Sequence, residues 1–109
     1  MAPLQVSVTE TKRRLDAAEI ALLDCREPSE HAIAAIAGAT LIPMNTIPAN
    51  LQAIEAMTDS SDIVVYCHHG VRSLHAIHFL RHAGFTNLAN LSGGIDAWSR
   101  EVDPNMPRY

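Results

Sequence analysis

The chain has 109 residues, 48% of them hydrophobic and 18% charged. That balance fits one compact domain over residues 1–109 rather than a disordered segment. A formal net charge of −4 argues against a nucleic-acid partner, which calls for a basic surface.

The first fifteen residues reach charged side chains before any long apolar run, so no secretory leader is expected. The most apolar stretch, residues 32–39, is short and made largely of small residues, so no membrane span or membrane partner is expected either. With aromatics at 5%, the core has to be built from Ile, Leu, Val, Ala and Met. Two cysteines, Cys25 and Cys67, are too few for a disulfide scaffold. A reducing, cytoplasmic setting is the default expectation, and there a cysteine matters as a thiol. Oligomeric state is left open.

Taken in chain order, Gln5-Val6-Ser7-Val8 predicts a first edge strand, and residues 9–18 a helix capped by Thr9 that carries Leu15 inward. Ile20-Ala21-Leu22-Leu23, ended by Asp24, is a compact apolar run and predicts a second strand. Ala39-Thr40-Leu41-Ile42, ended by Pro43, predicts a third. Leu51, Ile54 and Met57 recur at three-residue spacing and mark one helical stripe. Ile63-Val64-Val65-Tyr66, set between Ser60-Ser61-Asp62 and Cys67, is β-branched and aromatic and is the clearest strand. Residues 71–83 predict the best helix, with Ala76, Ile77 and Leu80 on one side. Gly84 would stop it and Phe85 would fold back onto Leu80. Residues 87–91 predict a weaker strand, and residues 95–100 a short helix after Gly93-Gly94. Trp98 is expected to anchor the core. The segment 104–109 cannot continue a helix beyond Pro104 and is free to pack over the domain or to extend away from it.

Unbroken apolar runs suit strands buried on both faces. The fold class is therefore α/β, an open parallel sheet of about five strands with helices on both faces. Ligands in such sheets bind at the carboxyl ends of strands, where loops lead into helices. The segment Tyr66-Cys67-His68-His69-Gly70-Val71-Arg72-Ser73 is one such loop. A tight turn there directs backbone N–H groups inward as an anion cradle. A thiol at its entrance feels the helix N-terminus, the amides and the Arg72 guanidinium, all of which favour thiolate and lower the pKa from about 8.5. A lone cysteine at a strand end is commonly just a small buried hydrophobe. The Cys-x4-Arg-Ser spacing between strand and helix turns the reading toward an activated nucleophile.

Four pieces in sequence resemble the rhodanese-like domains over nearly the whole chain. Leu22-Leu23-Asp24-Cys25-Arg26-Glu27 is similar to the family's strand-end Asp-x-Arg-Glu signature. Glu30-His31 followed by Ile36-Ala37-Gly38-Ala39 is similar to its "E-[FYH]…H-I-P-G-A" stretch. Tyr66-Cys67 to Arg72-Ser73 matches its active-site loop, and Leu91-Ser92-Gly93-Gly94-Ile95-Asp96-Ala97-Trp98 its closing "L-x-G-G-x-x-A-W". The chain departs at Ala35 and Ala37, where the family often has His and Pro; this touches a peripheral turn. The resemblance implies a rhodanese-like fold and sulfurtransferase activity. Cys67 would be the catalytic residue, taking sulfur from a donor such as thiosulfate as a persulfide and passing it to cyanide or another thiol. A protein persulfide is a compatible partner; no cofactor and no metal are implied.

The residues refine that expectation. The amides of His68, His69, Gly70, Val71, Arg72 and Ser73 would form the substrate-binding loop and spread the charge of a terminal sulfur. Gly70 supplies freedom in the turn, and Arg72 ties the loop together and adds positive field. The six-residue span from Cys67 to Arg72 suits one sulfur atom; cysteine phosphatases use Cys-x5-Arg, so phosphatase or arsenate reductase chemistry ranks low. A non-catalytic binding module is the other alternative, and the presence of both Cys67 and Arg72 counts against it. Asp24 and Arg26 are expected to form a supporting salt bridge, Glu27 to start a helix, and Cys25 to point away from the Asp24 face as a packed core thiol rather than a redox partner. His75, His78 and His82 form a polar helix face rather than a metal site. His68 and His69 border the site and would supply charge below a pKa near 6.5 or shape the entrance, their backbone N–H groups mattering more than their rings.

Overall fold

The computed structural model describes residues 5–58 and 61–109. Ser60, expected in the turn before the clearest strand, lies outside them. Five strands, β1 (Gln5–Val6), β2 (Ile20–Asp24), β3 (Thr40–Leu41), β4 (Asp62–Tyr66) and β5 (Leu88–Leu91), form one sheet in the order β1-β5-β4-β2-β3, with every pairing parallel. Four α-helices connect them, α1 (Val8–Asp16), α2 (Pro28–Ile33), α3 (Leu51–Thr58) and α4 (Val71–His82), and α5 (Gly94–Glu101) follows β5. A 3₁₀ helix, Met44–Ala49, leads into α3.

Alternate residues of the central strands feed opposite cores. Leu23, Ile63 and Val65 pack with Ile54 of α3 and with Ala76, Ile77 and Leu80 of α4. Leu22, Val64 and Tyr66 pack on the other face with Val8 of α1 and with Ile95 and Trp98 of α5. This accounts for the unbroken apolar runs: β2 and β4 are covered on both sides. Each fully buried aliphatic side chain contributes about 1.5–3 kcal/mol. Trp98 is buried, as expected of an anchor.

The local signals differ from expectation at three places. Ser7, not Thr9, caps α1, its hydroxyl accepting from the Glu10 N–H at 3.0 Å. Val8 is therefore the first residue of the helix rather than the last of the strand. Ser is as good a cap as Thr, and Val8 gains burial by turning into the core. Helix α2 and the 3₁₀ helix have no counterpart in the periodicity reading. Glu27 does stand at the start of α2, where its N–H donates to Glu30 Oε1 at 3.2 Å. The end of α4 follows expectation: Gly84 has φ +106°, and the Phe85 N–H donates to Leu80 O at 3.0 Å. Among the described residues, no helix is long and apolar enough to cross a membrane.

Candidate active site

β2 and β4 end side by side at the carboxyl edge of the sheet, with Asp24 opposite Tyr66. Cys67 follows Tyr66 directly and is 1% exposed. The turn to α4 is completed at Gly70, whose φ of +108° lies in the left-handed region, where a side chain would be strained. That conformation brings the Gly70 N–H to 3.0 Å from Cys67 Sγ. The loop is clamped from below by α5. Ile95 N–H donates to Cys67 O at 2.9 Å and Asp96 N–H to His68 O at 3.0 Å. Gly94 makes this approach possible, since a Cβ there would stand 2.4 Å from His68 O and 2.6 Å from Cys67 O.

Burial raises the cost of charge on Cys67, but hydrogen bonds outweigh it. The Ser73 hydroxyl and the N–H groups of Ser73, Gly70 and His69 hold the thiol below its ordinary pKa. Ser73 Oγ lies 3.4 Å from Sγ and also bonds Asn90 Oδ1. The orientation of Asn90 is fixed, because its Nδ2 donates to Gly70 O at 3.0 Å and to Gln5 Oε1 at 3.3 Å. Among the bonds to Sγ, that of the Ser73 hydroxyl lowers the thiol pKa most, followed by the backbone N–H groups of Ser73, Gly70 and His69. Val71 is 66% exposed.

Arg72 is paired with Glu30. Its Nη1 and Nη2 donate to Glu30 Oε1 and Oε2 at 2.6 and 2.8 Å, tying the start of α4 to α2. Arg72 holds Glu30 down to about 2. The expected tie is present, and the Arg72 charge, engaged first by Glu30, is also felt at Cys67. His68 is partly buried, and burial together with the neighbouring His69 lowers its pKa. The shift disfavours the imidazolium form of the ring. The ring stacks with His69 at 4.1 Å and with Tyr109 at 4.0 Å between centroids. His69 is exposed, with Nε2 3.9 Å from Asp96.

Asp24 and Arg26, both fully buried, form the expected salt bridge: Nε donates to Oδ1 at 2.9 Å and Nη2 to Oδ2 at 2.7 Å. Burial opposes the charge on Asp24, yet Arg26 and His31, whose Nδ1 lies 2.8 Å from Oδ2, keep its carboxyl below the ordinary value. Arg26 Nη2 also donates to Ala34 O at 2.7 Å, which fixes the turn after α2. Removing either partner would strand a buried charge at a cost of about 3–5 kcal/mol. Cys25 lies in the same apolar cluster as Cys67, one position beyond the Asp24–Tyr66 pair. It does point away from the Asp24 side, but that places it beside the active-site loop. Burial, and then Cys67, pushes its thiol up to about 12, which suits a packed core thiol.

His75, His78 and His82 are all exposed, in keeping with a polar helix face. Glu30, Asn90 and Tyr109 were not singled out from sequence. Glu30 had a signal in the Glu30-His31 motif; Asn90 and Tyr109 had none, being joined to the site only by the fold.

A model of the rhodanese-like domain matches residues 7–101. The probable adenylyltransferase/sulfurtransferase MoeZ of Mycobacterium tuberculosis is 37% identical over 91 residues, covering 84% of this chain and 23% of that protein. The chain thus spans about a quarter or less of several curated relatives that it matches. A sulfurtransferase of Allochromatium vinosum is 37% identical over 94 residues, 86% of this chain and 85% of its own. The structure of the human single-domain sulfurtransferase TSTD1 superposes with a TM-score of 0.79 at 27% identity, covering 92% of this chain and 98% of that one. The match over residues 7–101, with relatives named sulfurtransferases on both sequence and structure, makes this chain a member of the rhodanese-like domain family.

Proposed function

We propose that the protein is a sulfurtransferase in which Cys67 carries one sulfane sulfur as a persulfide. The Cys67 thiolate attacks the outer sulfur of a donor such as thiosulfate. A new S–S bond forms, the donor's S–S bond breaks, and sulfite leaves with its electron pair. The product, Cys67-S-S⁻, keeps the negative charge within reach of the loop amides. A thiophilic acceptor then removes the outer sulfur: cyanide leaves as thiocyanate, or a thiol leaves as a persulfide, and the Cys67 thiolate returns. A protein persulfide offers the same chemistry as a donor. No cofactor enters the cycle, and a reducing compartment such as the cytoplasm suits the free thiol.

The observation that carries this reading is the Gly70 N–H 3.0 Å from a buried Cys67 Sγ whose pKa is lowered. Arg72, turned toward Glu30, supports sulfur over phosphate, because a phosphate cradle calls for a guanidinium free to grip its oxygens. The test is steady-state thiocyanate production from thiosulfate and cyanide, repeated with persulfide donors and thiol acceptors. Turnover that disappears in Cys67→Ala is expected. Absence of turnover with every donor and acceptor pair would leave a binding module as the better reading.

A further inference from the structure

With Cys67 only 1% exposed, its reactivity depends on what stands between Sγ and solvent. One side of the loop is closed by α5 through the Cys67 and His68 carbonyls. The His68 ring borders α5 in a cleft with Ile95, Asp96 and Ser99, and Tyr109 lies almost parallel to it, with centroids 4.0 Å apart and planes 11° apart. The Tyr109 hydroxyl donates to Glu30 Oε2 at 2.6 Å and accepts from Arg26 Nη1 at 2.8 Å. Glu30 is the carboxylate that clamps Arg72 at the far end of the same loop. Tyr109 therefore touches both ends of the loop: the residue after Cys67 by its ring, and the partner of Arg72 by its hydroxyl.

The segment is held in place rather than lying free. Arg108 Nη2 donates to Ser99 O at 3.1 Å, and Met106 packs on the Trp98 side of the core. Together with His68, Asp96 and Ser99, residues 107–109 line a narrow cleft beside the loop. The sulfur-transfer step has no chemical use for a phenol here, and Tyr109 is 41% exposed, so core packing does not account for these three specific contacts.

We propose that Tyr109 is a specificity-determining residue that braces His68 and Glu30 across the mouth of the loop and limits access to Cys67 by size, admitting small inorganic sulfur donors ahead of bulky organic ones. The inference rests on the reading of Cys67 as the reactive thiol. It makes the aromatic stack a wall and the hydroxyl the latch that keeps the wall in place.

The test compares two probes of Cys67 on the full chain, iodoacetamide and fluorescein maleimide, with modification at Cys67 followed by peptide mass spectrometry. Tyr109→Ala should raise the bulky-to-small rate ratio about tenfold, the rate equivalent of one strong aromatic stack. Tyr109→Phe keeps the ring, loses the latch, and should raise the ratio about threefold. A merely structural role would speed both reagents alike and leave the ratio where it was. A ratio within about twofold of the unmodified protein in both variants overturns the inference. Sulfur loading from thiosulfate and from an aryl thiosulfonate is measured in parallel. Loading that persists with an unmoved ratio removes the role of Tyr109 and keeps the sulfurtransferase reading. A moved ratio with no loading from either donor does the reverse.

Discussion

Glu30→Gln isolates the contact that holds the far end of the loop. Arg72 reaches both Glu30 oxygens, at 2.6 and 2.8 Å, and Arg72 first, then Tyr109, pulls this carboxyl to about 2 from 4.5 against the opposing effect of burial. If all of that depression returned as folding free energy, it would be worth about 3 kcal/mol at neutral pH. The Arg72 side chain is 37% exposed, so solvent screening reduces the expected loss to about 1–2 kcal/mol. The sign follows from a folded-state pKa below the unfolded one. The stabilisation is complete above the unfolded value of 4.5 and is lost as pH falls through about 2. Urea denaturation followed by Trp98 fluorescence, on the protein and the variant at several pH values, reads the difference directly. A gap of about 1–2 kcal/mol at pH 7 that closes toward pH 2 is expected. No gap at pH 7, or one that stays constant as the carboxyl titrates, would refute the assignment of this pair as the loop clamp.

Three further outcomes are expected. Cys25→Ser should keep most sulfur loading, because a thiol with a pKa of about 12 supplies no thiolate at neutral pH, while placing a hydroxyl in the apolar cluster costs about 1–3 kcal/mol; a loss of loading equal to that of Cys67→Ser would give Cys25 a chemical role. Gly94→Ala should lower stability by about 2 kcal/mol or more and depress loading, since the added methyl would meet the carbonyls of Cys67 and His68 inside 3 Å; an unchanged melting temperature contradicts this. Treatment with a chelator should leave activity and stability unaltered. A loss would point to metal at His68, His69 and Asp96, whose ligand atoms lie within 4.8 Å of one another, or on the His75, His78 and His82 face.

What was legible in the sequence was what is encoded locally. The runs at 20–23 and 63–66 are read as buried strands because helices cover both of their faces, and the Gly84 stop is a property of one residue and its φ. The Cys67 loop was readable for the same reason, its cysteine, glycine and serine lying within seven residues. Of helix α2 only the start at Glu27 was legible, because none of its residues is buried and no apolar period marks its extent; it forms on that start signal and on its ties to Arg26 and Arg72. Ser7 and Thr9 are equivalent caps on paper, and the burial of Val8 decided between them. Contacts that depend on topology were beyond reach: Glu30 with Arg72 spans 42 positions and Tyr109 with Glu30 spans 79. The same limit applied to Cys25. Strand alternation placed it away from Asp24, but only the parallel register of β2 and β4 put it next to Cys67.

The central claim is that Cys67 itself takes up the sulfur. Intact-mass spectrometry after incubation with thiosulfate tests it most directly. Addition of a single sulfur atom, mapped to Cys67, removed by cyanide and absent from Cys67→Ala, is the expected result. An unmodified protein, or an adduct that survives in Cys67→Ala, would contradict it.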